Sequence, residues 1–201
     1  MDFTRVKENL EKRGYQVSCF DTAAQAAAYL DAQIDGITVG FGGSVTLDQL
    51  GLYERLATHN QVIWHQHVPK GTDTAPIRRE ENAASIYCCS ANALAETGEL
   101  INIDGTGNRL ASMLYGHEKI YYVIGENKIA PDYDAALWRA RNIAAPRNAH
   151  RLGTPTPCAA KGDRCYNCQS PGRICRGLVV LWENITGQQA EVVLVHEELG
   201  Y

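Results

Sequence analysis

Four of the seven cysteines lie close together near the C-terminal end of the sequence. Cys158, Cys165, Cys168 and Cys175 have the spacing C-x6-C-x2-C-x6-C. Thiolate sulfur is a soft ligand that suits iron–sulfur clusters and zinc. The segment contains glycine, proline and few apolar residues, so we predict a loop that a bound metal could organise. The four cysteines therefore predict a metal centre.

The spacing favours an iron–sulfur cluster over zinc. Structural zinc usually takes two short C-x2-C pairs, whereas this sequence has one such pair between two longer arms. It does not match the common ferredoxin spacings either. Basic residues among the cysteines fit both kinds of centre, because both carry negative charge when four thiolates ligate them. We expect a [4Fe–4S] cluster, with zinc as the alternative and reduced or redox-active thiols as a third interpretation.

A second candidate site is the glycine turn that follows a short apolar strand. Gly42, Gly43 and Ser44 precede a predicted helix, and Thr46 lies in its first turn. Free backbone N–H groups at such a helix start favour a bound anion. An ordinary strand-to-helix turn with Ser44 as N-cap explains the same residues equally well. The sequence leaves both interpretations open.

Two carboxylates flank the next candidate region, a short apolar strand over residues 100–103. Glu96 precedes the strand and Asp104 follows it, and either could act as a general base beside glycine residues. Ordinary turns with side-chain hydrogen bonds are the alternative. Because Glu96 and Asp104 lie at opposite ends of one strand, they can line the same cavity only with the help of a neighbouring loop.

Several polar residues follow the ends of predicted strands. Lys128 could bind a phosphate or a carboxylate there, although a solvated lysine in a turn is the commoner case. His65 and His67 alternate along another predicted strand, and we favour a polar strand face over a metal site for them. The residues that we expect to bind a small anionic metabolite together with the glycine turn are Gly105, Gly107, Asn108, Arg109, Asn127 and Lys128.

The elements that must position these residues alternate between strands and helices. Predicted strands over residues 15–20, 36–41 and 61–68 are separated by predicted helices, which is typical of an α/β fold with a mainly parallel sheet flanked by helices. We also predict a helix over residues 91–97 and a proline-containing linker over residues 145–157. Residues 1–150 form the predicted α/β domain. Residues 151–201 add a cysteine-rich metal-binding loop and two closing strands to the same domain.

The composition limits the class of protein. The 201 residues are 45% hydrophobic and 21% charged, and the formal net charge is −4. These values are ordinary for a globular protein and give no sign of a nucleic-acid-binding surface. We expect neither a secretory signal, because the N-terminal segment is charged, nor a membrane span, because no apolar run is long enough. The expected compartment is the cytoplasm, where thiols stay reduced.

Four motifs occur in the order that is familiar from one protein family. They are the glycine turn over residues 42–47, NALAETG over residues 92–98, DGTGNR over residues 104–109 and GENK over residues 125–128. Together they resemble the LUD-domain family of lactate-utilisation proteins, over roughly residues 1–150. The cysteine loop resembles the version of this family that is common in anaerobic bacteria.

The resemblance implies a fold like that of ribose-5-phosphate isomerase and the coenzyme A transferases. In such folds a glycine loop cradles phosphate, a role that would fall to Gly42, Gly43 and Ser44, and a strand-end carboxylate does chemistry, a role that would fall to Glu96 or Asp104. The sequence departs from the catalytic motifs of those enzymes, so isomerase or transferase activity does not carry over.

In lactate utilisation the family acts beside iron–sulfur subunits that oxidise lactate to pyruvate. The resemblance therefore implies an iron–sulfur protein in the redox metabolism of a small hydroxy acid or a phosphorylated metabolite, with an electron-transfer protein as a partner. One alternative is an isomerase- or transferase-type enzyme with a structural metal site. The other is a non-catalytic accessory subunit that binds a ligand. The sequence is compatible with an oligomer as well as with a monomer.

Overall fold

The computed structural model describes the whole chain, Met1–Tyr201. Its ten strands are β1 (Gln16–Phe20), β2 (Thr38–Phe41), β3 (Gln61–Ile63), β4 (Ile86–Cys89), β5 (Ala93–Ala95), β6 (Leu100–Asp104), β7 (Lys119–Gly125), β8 (Ile129–Ala130), β9 (Gly177–Leu181) and β10 (Gln189–Val195). Six of them form a parallel sheet in the order β1-β10-β7-β4-β2-β3. The central strands are almost continuously apolar because both faces of the sheet are covered. The predicted α/β fold with a mainly parallel sheet is confirmed.

Nine α-helices surround the strands. They are α1 (Thr4–Lys12), α2 (Ala23–Gln33), α3 (Val45–Gln49), α4 (Leu52–Leu56), α5 (Thr74–Glu81), α6 (Asn108–Leu114), α7 (Tyr133–Arg139), α8 (Ala145–Arg151) and α9 (Pro157–Lys161). One hydrophobic cluster packs α1 and α6 on one face of the main sheet, and another packs α2, α3 and α4 on the other face. None of the helices combines the length and the apolar character needed to cross a membrane.

A second, four-stranded sheet lies beside the main one, in the order β8-β5-β6-β9. The pairs β5–β6 and β6–β9 are antiparallel, and β5–β8 is parallel. The predicted helix over residues 91–97 is wrong, because β5 occupies this segment. Its buried residues pack between neighbouring strands, so tertiary packing overrides the helix propensity of alanine. Strand β9 connects the cysteine loop to this sheet.

Two further predictions are corrected. Residues 145–151 form the helix α8 instead of a linker, since Pro146 lies in the first turn, where its missing N–H is not needed. A five-residue π-helix, Ala140–Ala144, joins α7 to α8. The predicted third strand is also shorter than residues 61–68, because β3 ends at Ile63. This early end brings the residues that follow it to the edge of the sheet where the other parallel strands end.

Candidate functional site

A cavity of about 370 Å³, the polar cavity, opens where the parallel strands end at their carboxyl termini. Its walls come from the segments that follow β2, β3, β4, β7 and β10, from the β6–α6 turn, from helices α5 and α8, and from Ile174. Ligands of parallel α/β sheets bind at this edge. Most residues predicted from the sequence to bind a ligand line the cavity: Gly43, Ser44, Thr46, Asp104, Gly105, Asn108, Arg109 and Lys128.

Four of the predicted residues lie outside the cavity lining, and two of these, Glu96 and Asn127, hold contacts elsewhere. Glu96 precedes β6, at the end opposite to Asp104, and its Oε2 lies 3.2 Å from Nη1 of Arg5. The Asn127 Oδ1 accepts a hydrogen bond from the backbone N–H of Leu199 over 3.1 Å. Strand β6 separates the two carboxylates, so only Asp104 reaches the cavity.

Two predicted glycines support the wall without lining it. A Cβ at Gly42 would lie 2.8 Å from the Tyr87 hydroxyl, so glycine allows this turn to pack closely against β4. Gly107 has a φ of +89° at the start of α6, a conformation that favours glycine. Gly107 thus shapes the backbone that carries Arg109, and Gly42 leaves room for the Arg109 side chain, whose Cδ would lie 3.2 Å from a Cβ at residue 42.

Ser44 is the N-cap of α3. Its Oγ accepts the backbone N–H of Leu47 over 3.2 Å, and its own backbone N–H donates to Oε1 of Gln66 over 3.1 Å. One of the two interpretations of the glycine turn, an ordinary capped turn, is therefore realised. Ser44 also lines the polar cavity, so the cap fixes the position of this part of the wall.

Lys128 is buried in the cavity wall, with 4% of its surface exposed. Its Nζ donates to Oγ1 of Thr46 over 2.7 Å and to Oγ of Ser90 over 2.9 Å, and no carboxylate pairs with it. Burial, reinforced by the positive charges of Arg139 and Arg109, lowers the pKa of Lys128 from 10.5 to about 7. A buried cation whose protein partners are hydroxyl groups favours an anion in the cavity.

Asp104 shapes the turn that carries Arg109. Its Oδ1 accepts the backbone N–H groups of Thr106 and Gly107, both over 2.8 Å, and its Oδ2 lies 3.3 Å from Nε of Arg109. The Arg109 Nη2 donates to the carbonyl oxygen of Ile103 over 2.7 Å. The Asp104 carboxylate is thus engaged in holding the guanidinium group of Arg109 at the cavity.

His65 and Arg78 also line the cavity, and sequence reasoning did not assign them to it. His65 follows the end of β3 instead of lying on a strand face, and its Nδ1 is 2.7 Å from Oε1 of the fully buried Glu81. The Arg78 Nε is buried without a hydrogen-bond partner. No local pattern links residue 65 to residue 81, because they belong to different elements that only the fold brings together.

The predicted loop is wrong at its start, because Cys158 lies in α9, and only the other three cysteines lie in the irregular segment that follows. All four cysteines line one small cavity of about 20 Å³, the cysteine cavity. Each of these four cysteine residues is partly exposed, and none forms a disulfide. Arg141 and Arg173 line the same cavity and supply positive charge. The fold thus brings together the four residues that the spacing predicted as metal ligands.

Hydrogen-bond donors approach the sulfur atoms. The Arg173 Nη2 lies 3.3 Å from Sγ of Cys175, and the backbone N–H of Asn167 lies 3.3 Å from Sγ of Cys165. Asn167 has a φ of +48°, which turns the C-x2-C segment so that this N–H faces the sulfur. Hydrogen bonds from Ser170 lower the pKa of Cys168. Such donors favour the thiolate form, which is the form that ligates metals.

The four thiols are of the donor type that both zinc and iron–sulfur clusters take. No three His, Cys, Asp or Glu side chains are grouped closely enough to hold one metal ion. A single zinc ion, with Zn–S bonds of about 2.3 Å, requires all its sulfur ligands around one point. An iron–sulfur cluster with four irons takes one thiolate at each iron, so its ligands lie farther apart. Four thiols with cationic neighbours are donors that either kind of centre can take.

The two cavities are neighbours. Ala145 and Ile174 line both of them. Ile174 immediately precedes Cys175, and its carbonyl oxygen would lie 2.8 Å from a Cβ at Gly105. The cysteine loop therefore packs directly on the turn that carries Asp104 and Arg109.

Comparison with known proteins agrees with this architecture. A solved structure of a DUF162 family protein from Deinococcus radiodurans has 14% sequence identity and a TM-score of 0.54, over 97% of this chain and 99% of that chain. The likeness shows a common fold. The structure of a ribose 5-phosphate isomerase from Plasmodium falciparum aligns over 54% of this chain and 52% of the isomerase chain, with 16% sequence identity. The TM-score of 0.32 is too low to carry an argument. No curated protein matches the chain.

The family comparison covers nearly the whole sequence. The sequence pattern of the LUD domain matches residues 3–195. This range extends beyond the roughly 150 residues over which the motifs suggested a resemblance, and it includes the cysteine loop. The chain belongs to the LUD-domain family.

Proposed function

We propose that the protein is an iron–sulfur protein that binds a small organic anion in the polar cavity and takes part in its redox metabolism. The ligand class is a hydroxy acid or a phosphorylated metabolite. The observation that carries this proposal is the wall that the two cavities share, formed by Ala145 and Ile174. Because electron transfer weakens steeply with distance, a redox centre beside the ligand can act on it.

The charges of the polar cavity support an anionic ligand. Lys128, Arg109 and Arg78 all line it, and of these only Arg109 has a carboxylate partner, Asp104. An Arg side chain can bind a carboxylate or a phosphate through two parallel hydrogen bonds. Lys128 adds a compact charge next to the hydroxyl groups of Thr46 and Ser90. A ligand that carries one carboxylate or phosphate group would satisfy these donors.

The cysteine cavity supports the redox part of the proposal. Cys158, Cys165, Cys168 and Cys175 would hold the [4Fe–4S] cluster, which when bound supplies one-electron transfer. Arg173, which lines this cavity, would offset its negative charge. Because the four cysteines are only half-buried, an electron-transfer protein could approach the loop from solvent.

The proposal is tested on anaerobically purified or reconstituted protein. We expect about four irons and four sulfides per chain, a brown colour and a paramagnetic signal after reduction. We further expect L-lactate, D-lactate or glycerol 3-phosphate to change this signal, because the ligand would lie next to the centre. Cys165→Ser removes the metal, whereas Cys19→Ser, outside the loop, retains it. A colourless protein with one zinc ion per chain contradicts the proposal.

One observation favours a second candidate, an acid–base enzyme of the isomerase or transferase type in which the cysteines hold a structural metal. It is the contact of His65, which lines the polar cavity, with the buried carboxylate of Glu81 behind it. This candidate predicts that Cys165→Ser loses the metal but still converts the ligand. In that case Asp104→Asn and Glu96→Gln would test the two carboxylates predicted as bases. Ligand binding without any conversion would instead identify an accessory subunit.

A further inference from the structure

His65 presents one ring nitrogen to the polar cavity. Its Nδ1 faces Oε1 of Glu81 over 2.7 Å, while its Nε2 makes no hydrogen bond within the protein. A Cβ on Gly43 would lie 3.4 Å from this Nε2, so the free nitrogen lies beside the glycine turn. The side chain is 12% exposed, and it lines the cavity.

Glu81 is fixed and fully buried at the end of α5. Its Oε1 also accepts the backbone N–H of His65, and its Oε2 lies 3.5 Å from Nδ2 of Asn108. The close approach of α5 to β2 depends on Gly40, where a Cβ would lie 2.2 Å from the Glu81 carbonyl oxygen. The carboxylate therefore has one orientation, and it can only accept hydrogen bonds when ionised.

This contact determines which nitrogen of His65 carries the proton. An ionised Glu81 needs a donor, so the proton resides on Nδ1 and the lone pair on Nε2 faces the cavity. A carboxylate that orients a histidine and stabilises its protonated form is the arrangement that general bases use in acyl-transfer enzymes. The helix that supplies Glu81 also supplies Arg78, whose Nε has no partner in the protein.

We propose that His65 is the general base of the polar cavity, with Glu81 as its positioning residue, and that the ligand carries a hydroxyl group that reaches Nε2. This inference rests on the proposed anionic ligand and narrows it to a hydroxylated anion. In the proton transfer the ligand O–H bond breaks and an N–H bond forms at Nε2. The imidazolium is stabilised by Glu81, and the charge on the ligand oxygen lies in a cavity lined by Lys128 and Arg109.

The test compares anions that differ only in their hydroxyl groups, one in the lactate pair and two in the glycerol 3-phosphate pair. Calorimetry measures the affinity for L-lactate against propionate, and for glycerol 3-phosphate against propyl phosphate. In the unmodified protein we expect the hydroxylated member of at least one pair to bind about tenfold more tightly, the gain from one good hydrogen bond. The proposal is overturned if neither pair shows a preference.

Two substitutions at His65 separate its two nitrogens. Asn places its amide nitrogen where Nδ1 lies, so His65→Asn keeps the contact with Glu81 but removes Nε2. The ratio of the affinities for the hydroxylated and the non-hydroxylated anion should therefore fall to about one. Gln places an amide at the position of Nε2, so His65→Gln retains part of the preference but cannot accept a proton. His67→Asn is the control, because His67 lies outside the cavity lining. An unchanged preference in His65→Asn overturns the proposal.

Two further readouts address the proton. Ring-nitrogen NMR should show a proton on Nδ1 of His65, and Glu81→Gln should remove this tautomer preference; a proton on Nε2 contradicts the assignment. A dye serves as the two-electron acceptor for oxidation of the ligand hydroxyl to a carbonyl, which gives two electrons to the dye and two protons, one to His65 and one to solvent. In protein loaded with its cluster this oxidation should slow about 100-fold in both His65 variants. The binding preference does not require iron. A protein without a cluster that keeps the preference therefore refutes the proposed redox function and leaves the base assignment intact.

Discussion

Lys128 lies in the polar cavity with two hydroxyl groups as its hydrogen-bond acceptors, those of Thr46 and Ser90. No protein carboxylate balances the positive charge of Lys128, so we expect a bound anion to do so. Burial lowers the pKa of Lys128 to about 7, so the residue changes charge near neutral pH. A lysine loses its positive charge as the pH rises through its pKa. The cavity should therefore hold an anion more tightly below pH 7 than above it.

We expect the affinity for sulfate, whose own charge is constant over this range, to fall between about pH 6 and pH 8.5. The loss of one charged donor corresponds to about ten- to a hundredfold in affinity. Lys128→Met should bind sulfate weakly at all these pH values and should show little pH dependence, as measured by calorimetry. His65→Asn is the control for the histidine that lines the cavity, and its affinity for sulfate should still fall as the pH rises. A flat profile in the unmodified protein contradicts the expectation.

At the scale of elements, the contact between the β6–α6 turn and the cysteine loop couples the two cavities. Gly105 lies so close to the backbone of Ile174 that a Cβ at residue 105 would be 2.8 Å from the carbonyl oxygen of Ile174. Backbone atoms cannot move aside as the end of a flexible side chain can. The position of the loop therefore depends on the absence of a side chain at residue 105.

We expect Gly105→Ala to push the loop away from the turn. The strain should lower the free energy of unfolding by about 1–3 kcal/mol, as overpacking does in other proteins, or displace the loop and lower its metal content. Gly43→Ala is a matched control, because a Cβ there would lie 3.4 Å from the nearest atom, in the His65 side chain. Iron analysis and urea unfolding check both outcomes. Unchanged stability and metal content in Gly105→Ala would contradict the coupling.

Element prediction succeeded where local pattern and packing agree, as in β7, whose residues are almost all apolar and buried. It failed for β5, since an alanine-rich segment is compatible with a helix until neighbouring strands pair with it. It failed for α8 because three prolines within residues 145–157 indicate a linker, although one of them fits the first turn of a helix.

At the scale of the whole molecule, the cysteine loop is separate from the main hydrophobic core. The clusters on the two faces of the main sheet contain 19 and 17 buried residues, and none of the four cysteines that line the cysteine cavity belongs to them. Only Cys175 packs against the smaller third cluster. The core can therefore form without metal.

We expect Cys165→Ser to lose its metal and yet to unfold in one cooperative transition. A decrease of about 1 kcal/mol in the free energy of unfolding, caused by the loss of local contacts, corresponds to a decrease of about 2–4 °C in Tm for a chain of this size. Circular dichroism melting checks this, with Cys19→Ser as a control that keeps both metal and Tm. A broad, non-cooperative transition would mean that the metal organises the core.

The sequence by itself determined the α/β class, the group of four cysteines and the polar motifs that follow strand ends. These features are local, because each depends on residue types and spacings within one segment. Only the tertiary structure decided which polar residues share a cavity. In the folded chain Glu96 lies outside the cavity lining, His65 contacts Glu81, and the cysteine loop packs against Gly105. These contacts depend on the order of the strands, with β10 inserted between β1 and β7, and local periodicity carries no information on that order.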